Sequence, residues 1–395
     1  MNNTSPRESL SFQLLLFTFI RMLTSIAFRM VYPFLPVFRD GLGVSVGTLS
    51  AAIGARSLVA GLVGPFFATH ADSRGRKAGM LLGLAIFILG TAIVVFWPTF
   101  PGFVLALMFT IVGKVTFDPA MQAYLGDRVP YARRSRALTI TELSWSGAFI
   151  IGIPIMGWVI ARRGWVAPFP LLGLLVLITA VLVFLWIPKD PPRTEERPNL
   201  WANFRSVLGE PVAVIALMFT AFACLANEVV NLTFGVWLED GFGLQLAALG
   251  ASAAVLGAAE LGGEGLVAWL TDRMGKRRAI LVGLIVNSLA VAALPLAGGS
   301  LVLALAGLFL FYISFEFVIV SSIPLMTEVM PSARATMMAG FFTFASLGRA
   351  TGSWIAPGLY ARSFGASILA VILANLVAML ILSRLRLRAE EERRR

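Results

Sequence analysis

Asp72-Ser73-Arg74-Gly75-Arg76-Lys77 returns 200 positions later as Asp272-Arg273-Met274-Gly275-Lys276-Arg277, and each copy follows an apolar stretch long enough to cross a membrane. The spacing is about half of the 395-residue chain, which reads as one half-module written twice. The repeat continues outside the charged loop. Asp40-Gly41-Leu42-Gly43 is echoed by Asp240-Gly241-Phe242-Gly243, again at an offset of 200. Asp127, Pro130 and Arg133 find counterparts in Glu328, Pro331 and Arg334, and Gly147 and Gly157 in Gly348 and Gly358, at an offset of 201.

Hydrophobic residues make up 58% of the chain and charged ones 13%, with a mean hydropathy of +0.85. A water-soluble domain carries about a quarter charged residues, so this composition belongs to a bilayer. Twelve apolar stretches lie near 11–38, 46–70, 78–97, 100–126, 137–161, 165–187, 210–238, 246–270, 278–296, 299–327, 335–361 and 365–385. They predict an all-α integral membrane fold of 12 transmembrane helices in two pseudo-symmetric halves, 1–188 and 209–395, joined by a linker at 189–208. With the N-terminus inside, the inner segments hold 23 Lys and Arg residues and the outer ones 4, so both termini are expected on the cytoplasmic side of the cell membrane. The net charge of +11 is therefore read as topology, with some attraction to anionic lipid, and not as a nucleic-acid surface. Duplicated halves in such a chain are a signature of secondary transporters.

The linker Pro188-Lys189-Asp190-Pro191-Pro192-Arg193-Thr194-Glu195-Glu196-Arg197-Pro198 cannot continue a helix or enter the bilayer. After it, Leu200, Trp201, Phe204, Val207 and Leu208 fall at helical spacing, as in a short helix on the membrane surface. Cys224 is single and reads as packing, and His70, the only histidine, as an interfacial structural residue. The sequence carries no Walker-type phosphate loop and no metal-ligand cluster, so neither ATP hydrolysis nor a cofactor is expected, and no nucleophile–base pair suggests an enzyme. Any driving force then comes from a gradient.

In the repeated loop, glycine permits a tight reversal, while the aspartate can accept from helix N-termini and pair with arginine. A basic cytoplasmic loop is ordinary; the matched Asp and Gly in both copies are not. These residues resemble the signature loop of the major facilitator superfamily, G-x-x-x-D-R-x-G-R-R, between spans two and three and again between eight and nine. The second copy fits through Asp272, Arg273, Gly275, Lys276 and Arg277. In the first, Ser73 replaces a basic residue, and Ala68 and Ala268 stand where the family commonly has glycine. The resemblance implies a cytoplasmic gate holding the halves together through Asp72, Arg74, Gly75, Arg76, Asp127, Asp272, Arg273, Gly275, Arg277 and Glu328. Two further patterns are partly kept. Phe109 replaces the span-four arginine before Gly113, with Lys114 supplying charge. Gly147, Gly152, Pro154 and Gly157 look like a degenerate form of the glycine-proline motif of proton-coupled drug exporters, or like close helix packing through small residues.

Ionisable residues within spans carry the functional information, because a mid-bilayer charge costs about 2.5–3.5 kcal/mol on insertion scales. Arg21, Arg56, Lys114, Asp118 and Glu142 mark the first half, with Lys114, Asp118 and Gln122 on one helix face. Arg29 is expected to snorkel toward the outer surface. With Tyr32, Trp145, Asn231 and Tyr312 they are the expected substrate cavity; Asn227 and Phe315 are further candidates for its lining. The second half offers Glu228, Glu260, Glu264 and Glu316 against Arg349. A buried carboxylate without a cation favours its protonated form, which suits these four to proton coupling, Glu228 and Glu316 above all. Acids on spans seven and ten also serve coupling in some multidrug exporters of the family that this chain resembles. The competing reading is a set of fixed pairs: Lys114 with Asp118, Arg349 with one glutamate, Arg56 with Glu142. The chain is accordingly expected to be a monomeric, proton-coupled antiporter exporting small amphipathic molecules, anionic or zwitterionic. Symport of an organic anion, lipid flipping, and a non-transporting receptor or scaffold are the alternatives.

Overall fold

The computed structural model describes residues 10–188, 200–330 and 333–385. The side chains of residues 64–74, His70, Asp72 and Arg74 among them, fall outside the described residues, as do residues 189–199 of the linker and the tail after 385. Every element among the described residues is helical. In order they are α1 (Leu10–Arg29), α2 (Leu35–Leu42), α3 (Val46–Arg74), α4 (Arg76–Phe96), α5 (Phe100–Arg128), α6 (Tyr131–Gly147), α7 (Ile153–Arg163) and α8 (Pro168–Trp186). Then follow α9 (Leu200–Leu208), α10 (Pro211–Phe242), α11 (Leu246–Leu266), α12 (Asp272–Met274), α13 (Lys276–Ala293), α14 (Leu301–Val329), α15 (Arg334–Arg362) and α16 (Phe364–Arg384). Short π-helical segments, Ala148–Gly152 and Val267–Thr271, bridge α6 to α7 and α11 to α12.

Eleven spans among the described residues are long and apolar enough to cross a membrane. Helix α15 matches them in length, with 29 residues, but carries Arg349 within it. The first apolar stretch is split rather than continuous: residues 30–34 form a turn, because Pro33 disfavours helical backbone at Tyr32. Helix α9 falls where the post-linker periodicity places it.

The chain packs as two compact units, Met1–Ser45 with Leu62–Arg197 and Gln245–Gly257, and Val46–Gly61 with Pro198–Leu244 and Ala258–Arg395. They follow the two halves of the repeat except that the beginnings of α3 and α11 change sides. Within the second unit, Gly54 lies under the indole of Trp354, and Thr343 Oγ1 donates to the Gly61 carbonyl at 3.1 Å. Within the first, a Cβ on Gly257 would stand 2.8 Å from Phe149 Cβ, so α11 can approach the π segment only because the residue is glycine. Helices α4 and α5 cross as closely, where Gly83 meets Gly113. In the second unit Asn287 Nδ2 donates to the Phe311 carbonyl at 2.8 Å and Asn375 Nδ2 to Asn287 Oδ1 at 2.8 Å, tying α13, α14 and α16.

The duplicated motifs have duplicated structural roles. Gly43 (φ 65°) and Gly243 (φ 62°) both take the left-handed conformation that closes a helix C-terminus, which explains the repeated Asp-Gly-x-Gly. Gly75 (φ 94°) and Gly275 (φ 81°) make the same reversal in the two charged loops. Beyond each, the first basic residue reaches the acid ending the span after next: Arg76 Nε lies 3.5 Å from Asp127, and Lys276 pairs with Glu328. The second basic residue binds the last carbonyls of a further helix. Lys77 Nζ donates to Phe184 O at 2.7 Å and Ile187 O at 2.6 Å, and Arg277 donates to Ser383 O. Cations there satisfy orphan carbonyls and oppose the helix dipole. Arg273 stacks on Trp269, 5.2 Å from its ring centre. These contacts of Arg76, Asp127, Arg277 and Glu328, residues expected at a gate, run within a unit.

Gly275→Ala should lower stability by about 1–3 kcal/mol, because alanine resists this backbone region, while Gly265→Ala, in an ordinary helix with open space around it, should be neutral. Thermal unfolding of the detergent-solubilised protein reads the difference, and equal melting temperatures would contradict it.

Candidate substrate and coupling site

In the first unit three helices present one polar face each. Arg21, Ser25 and Arg29 recur every four residues on α1, as do Lys114, Asp118 and Gln122 on α5. Glu142 and Trp145 lie three apart on α6, and Phe149, four further on where the π segment begins, falls on the same face. At one level Arg21 grips Glu142 with both terminal nitrogens, Nη1 to Oε1 at 2.7 Å and Nη2 to Oε2 at 3.1 Å. Its Nε lies 3.5 Å from Asp118 Oδ1. Lys114 Nζ donates to Asp118 Oδ2 at 2.8 Å and to Ser25 Oγ at 3.1 Å, and Gln122 Nε2 donates to Glu142 at 3.3 Å. Arg21 and Lys114 are thus neutralised by Asp118 and Glu142. The side chain of Glu142 remains 45% exposed in the middle of this chain of contacts. A carboxylate in a span keeps that exposure only toward water, so the network faces an aqueous space.

Two turns along α1 the surroundings become aromatic. The guanidinium carbon of Arg29 stands 3.8 Å from the centre of the Trp145 ring and 4.2 Å from that of Phe149. Lys114 Nζ is 5.4 Å from the same indole, and Phe28 packs against both Trp145 and Tyr32. Arg29 is only 4% exposed. It does not snorkel; the rings hold it inside.

The second unit is built around Glu228 on α10, which is 0% exposed. Ser353 Oγ donates to Oε1 at 3.0 Å, Asn231 Nδ2 donates to Oε2 at 3.2 Å, and Arg349 Nη1 lies 3.6 Å from Oε2. Asn231 Nδ2 also donates to Asn227 Oδ1 at 3.0 Å, and its own Oδ1 accepts from Tyr312 at 2.6 Å. Asn231 and Tyr312, expected to line a substrate cavity, extend the hydrogen-bond frame of Glu228. Gly352 makes that frame possible, since a Cβ there would stand 2.8 Å from Glu228 Cβ. Glu316 is buried where α14 meets Gly263, 2.7 Å from where a Cβ on that glycine would be, on the helix that carries Glu260 and Glu264.

Two expected partnerships are present, Lys114 with Asp118 and Arg349 with a glutamate, so Glu228 does not lack a cation. The third is changed: Glu142, expected beside Arg56, is held by Arg21. Arg56 is buried in the α3 segment that belongs to the second unit. Sequence reasoning missed Ser25 and Ser353, each one turn from an arginine that it was already following, and Phe149, one turn beyond Trp145 where the π turn begins. Glycines 147 and 152 flank that turn, and Gly152 admits Ile26 of α1, so the glycine-rich stretch acts here in packing and helix register.

These features, long apolar helices in a duplicated pattern around buried, paired charges, define a membrane transporter, and comparison with known proteins agrees. The Major Facilitator Superfamily pattern matches residues 17–353, and the chain belongs to that family. It is 25% identical over 284 residues to the uncharacterized MFS-type transporter YwfA of Bacillus subtilis (strain 168), covering 71% of this chain and 69% of the relative. It is 26% identical over 298 residues to Multidrug resistance protein 2 of the same organism, covering 71% of this chain and 72% of the relative. A bacterial homolog of the human lysosomal transporter Spinster, crystallised inward-facing and occupied, superposes with a TM-score of 0.78 at 16% identity, covering 96% of this chain and 97% of the other. That likeness establishes the fold.

Replacing Arg21 by Leu takes the cation from Glu142, while Asp118 keeps Lys114, and should cost about 2–4 kcal/mol, less than a fully buried pair because Glu142 is hydrated. The double change Arg21→Leu with Glu142→Leu should recover most of that loss. Thermal unfolding of the three variants checks it; a double variant that shows the simple sum of the single losses would mean the pair is not what holds the helices.

Proposed function

We propose that this protein is a proton-coupled secondary transporter of the cytoplasmic membrane, exporting small amphipathic anions or zwitterions by antiport. It works as a monomer by alternating access between six-helix halves 1–188 and 209–395, with both termini cytoplasmic. The observation that carries the coupling is Glu228 and its partners. Ser353 and Asn231 fix both carboxylate oxygens, and Arg349 stands 3.6 Å away on another helix. A proton on Glu228 removes its charge and loosens Arg349, so protonation changes how α10 holds α15. Loss of that proton restores the attraction. Glu260, Glu264 and Glu316, carried on spanning helices of the same unit, are the further acids of the proton path. Export is supported by the likeness to a protein named for multidrug resistance. The repeated loops serve as the cytoplasmic gate, their glycines setting the reversal.

The same pair favours a second reading, uptake of an organic anion by symport. A proton on Glu228 frees Arg349 for a substrate carboxylate, so proton and anion would bind together. Flux measured in reconstituted vesicles with an imposed pH gradient tests both. The wild type should move substrate in response to the gradient, with the sign of the movement separating antiport from symport. Glu228→Gln should lose the gradient-driven component by at least about tenfold. Wild-type flux that ignores the gradient, or a glutamine variant that couples normally, would sink the proposal.

A further inference from the structure

The buried asparagines of the second unit use their amides fully, with one exception. Asn231, Asn287 and Asn375 each spend Nδ2 on two acceptors. Asn227 on α10 is 2% exposed, yet its Nδ2 has no acceptor among the described residues. Its neighbours fix which way the amide lies. Glu228 Oε2, as a carboxylate oxygen, only accepts, so the Asn231 atom 3.2 Å from it is the nitrogen. That nitrogen also lies 3.0 Å from Asn227, so the Asn227 atom there is Oδ1. Nδ2 is therefore the atom left outside the frame, a donor held there by the ionised state of Glu228. A buried, unused donor is costly. Turning Asn227 over alone would set two donors against each other, so the cost stays.

We infer that Asn227 Nδ2 is the donor for a carbonyl oxygen of the transported molecule, and that a proton on Glu228 withdraws it. The inference rests on the transporter reading above and adds one substrate feature and the way proton binding excludes it. When Glu228 is protonated, its O–H donates to Asn231, whose amide turns so that Oδ1 faces Glu228 and Asn227. Asn231 Nδ2 then faces Tyr312, whose hydroxyl accepts as well as donates. Asn227 turns in response, giving Nδ2 to Asn231 and leaving Oδ1 outside, where it repels a carbonyl. One proton gained is one donor lost, which is the linkage that antiport needs. A neutral carbonyl suits this place better than a carboxylate, because Glu228 is the adjacent residue. Of the helices packed on α10, α15 brings Arg349 to 3.6 Å from Glu228, and α14 brings Tyr312 and carries Glu316. Helix α9 carries Arg205, α16 has no titratable side chain before Arg384, and Cys224 lies one turn before Glu228 on α10 itself.

Equilibrium binding to the purified full-length protein, with no gradient, tests this with two probes of one shape, 2-acetylnaphthalene and 2-isopropenylnaphthalene. They differ in a carbonyl oxygen and neither titrates, so any pH effect on their binding ratio belongs to the protein. In the wild type the ketone-to-hydrocarbon ratio should be about three- to tenfold higher above neutrality than in acid, the scale of one neutral hydrogen bond. Glu228→Gln should show one ratio at every pH. Asn227→Leu should show the low ratio at every pH and melt no lower than wild type, because it removes an unused donor. A purely structural asparagine would give the opposite, a lower melting temperature with the ratio unchanged, and that result would overturn the inference. So would a wild-type ratio indifferent to pH, which needs no variant to fold and is the outcome if a buried water alone serves the donor. A ratio that switches with pH, without gradient-driven flux, would count against the coupling proposal alone. Gradient-driven flux with no switch in the ratio would count against this subsite alone.

Discussion

The cost of an ionised side chain in hydrocarbon governs this molecule. Each spanning charge must meet an opposite charge, a hydrogen-bonding frame, an aromatic face or water. The first unit uses all four: Arg21 forks onto Glu142, Lys114 bonds Asp118 and Ser25, Arg29 lies between rings, and Glu142 is hydrated. The second unit encloses Glu228 among Ser353, Asn231 and Arg349. Helix positions follow from these needs, because a fork or a frame fixes the rotation of the helices that supply it. Glycine sets how near they come, as Gly352 does for Glu228 and Gly257 for the π segment.

Duplication supplied a common scaffold, and the chemistry has diverged upon it. Both copies of the charged loop turn on a glycine, send one cation to an acid at the end of a neighbouring span, and place a second on the last carbonyls of another helix. These contacts are architectural and explain why the two copies stayed alike. No such likeness joins Arg21, Lys114 and Glu142 to Glu228 and Arg349. The basic excess of the first unit and the acidic excess of the second survive even with Arg56 counted in the second.

The legible part of the fold was the local part. A glycine one residue past a helix end, or a basic pair just after a loop glycine, has a meaning that depends on the next few residues, and it repeats wherever the pattern does. Lys114 with Asp118 could be read for the same reason, being one turn apart. Which arginine takes Glu142 could not, because Arg21 and Arg56 are equally apolar in context and only the packing of α1 against α6 decides between them. Arg29 was misplaced because its distance along the chain suggested the surface, while the rings that hold it come from a helix more than a hundred residues later. Phe149, one turn beyond Trp145, falls on the same helix face and meets the same guanidinium, so it was within reach of the regular period. Pro33 ended the first helix earlier than its apolar run implied.

The central claim is that Glu228 is the group whose protonation the protein senses, through Arg349. Infrared difference spectroscopy of the reconstituted protein across a pH titration tests it most directly, since a carboxylic acid and a carboxylate absorb at separate positions. A protonated-carboxyl band should grow on acidification, and the Glu228→Gln protein should lack that component while keeping the helical amide signal. Identical titrations of the wild type and the variant would contradict the account.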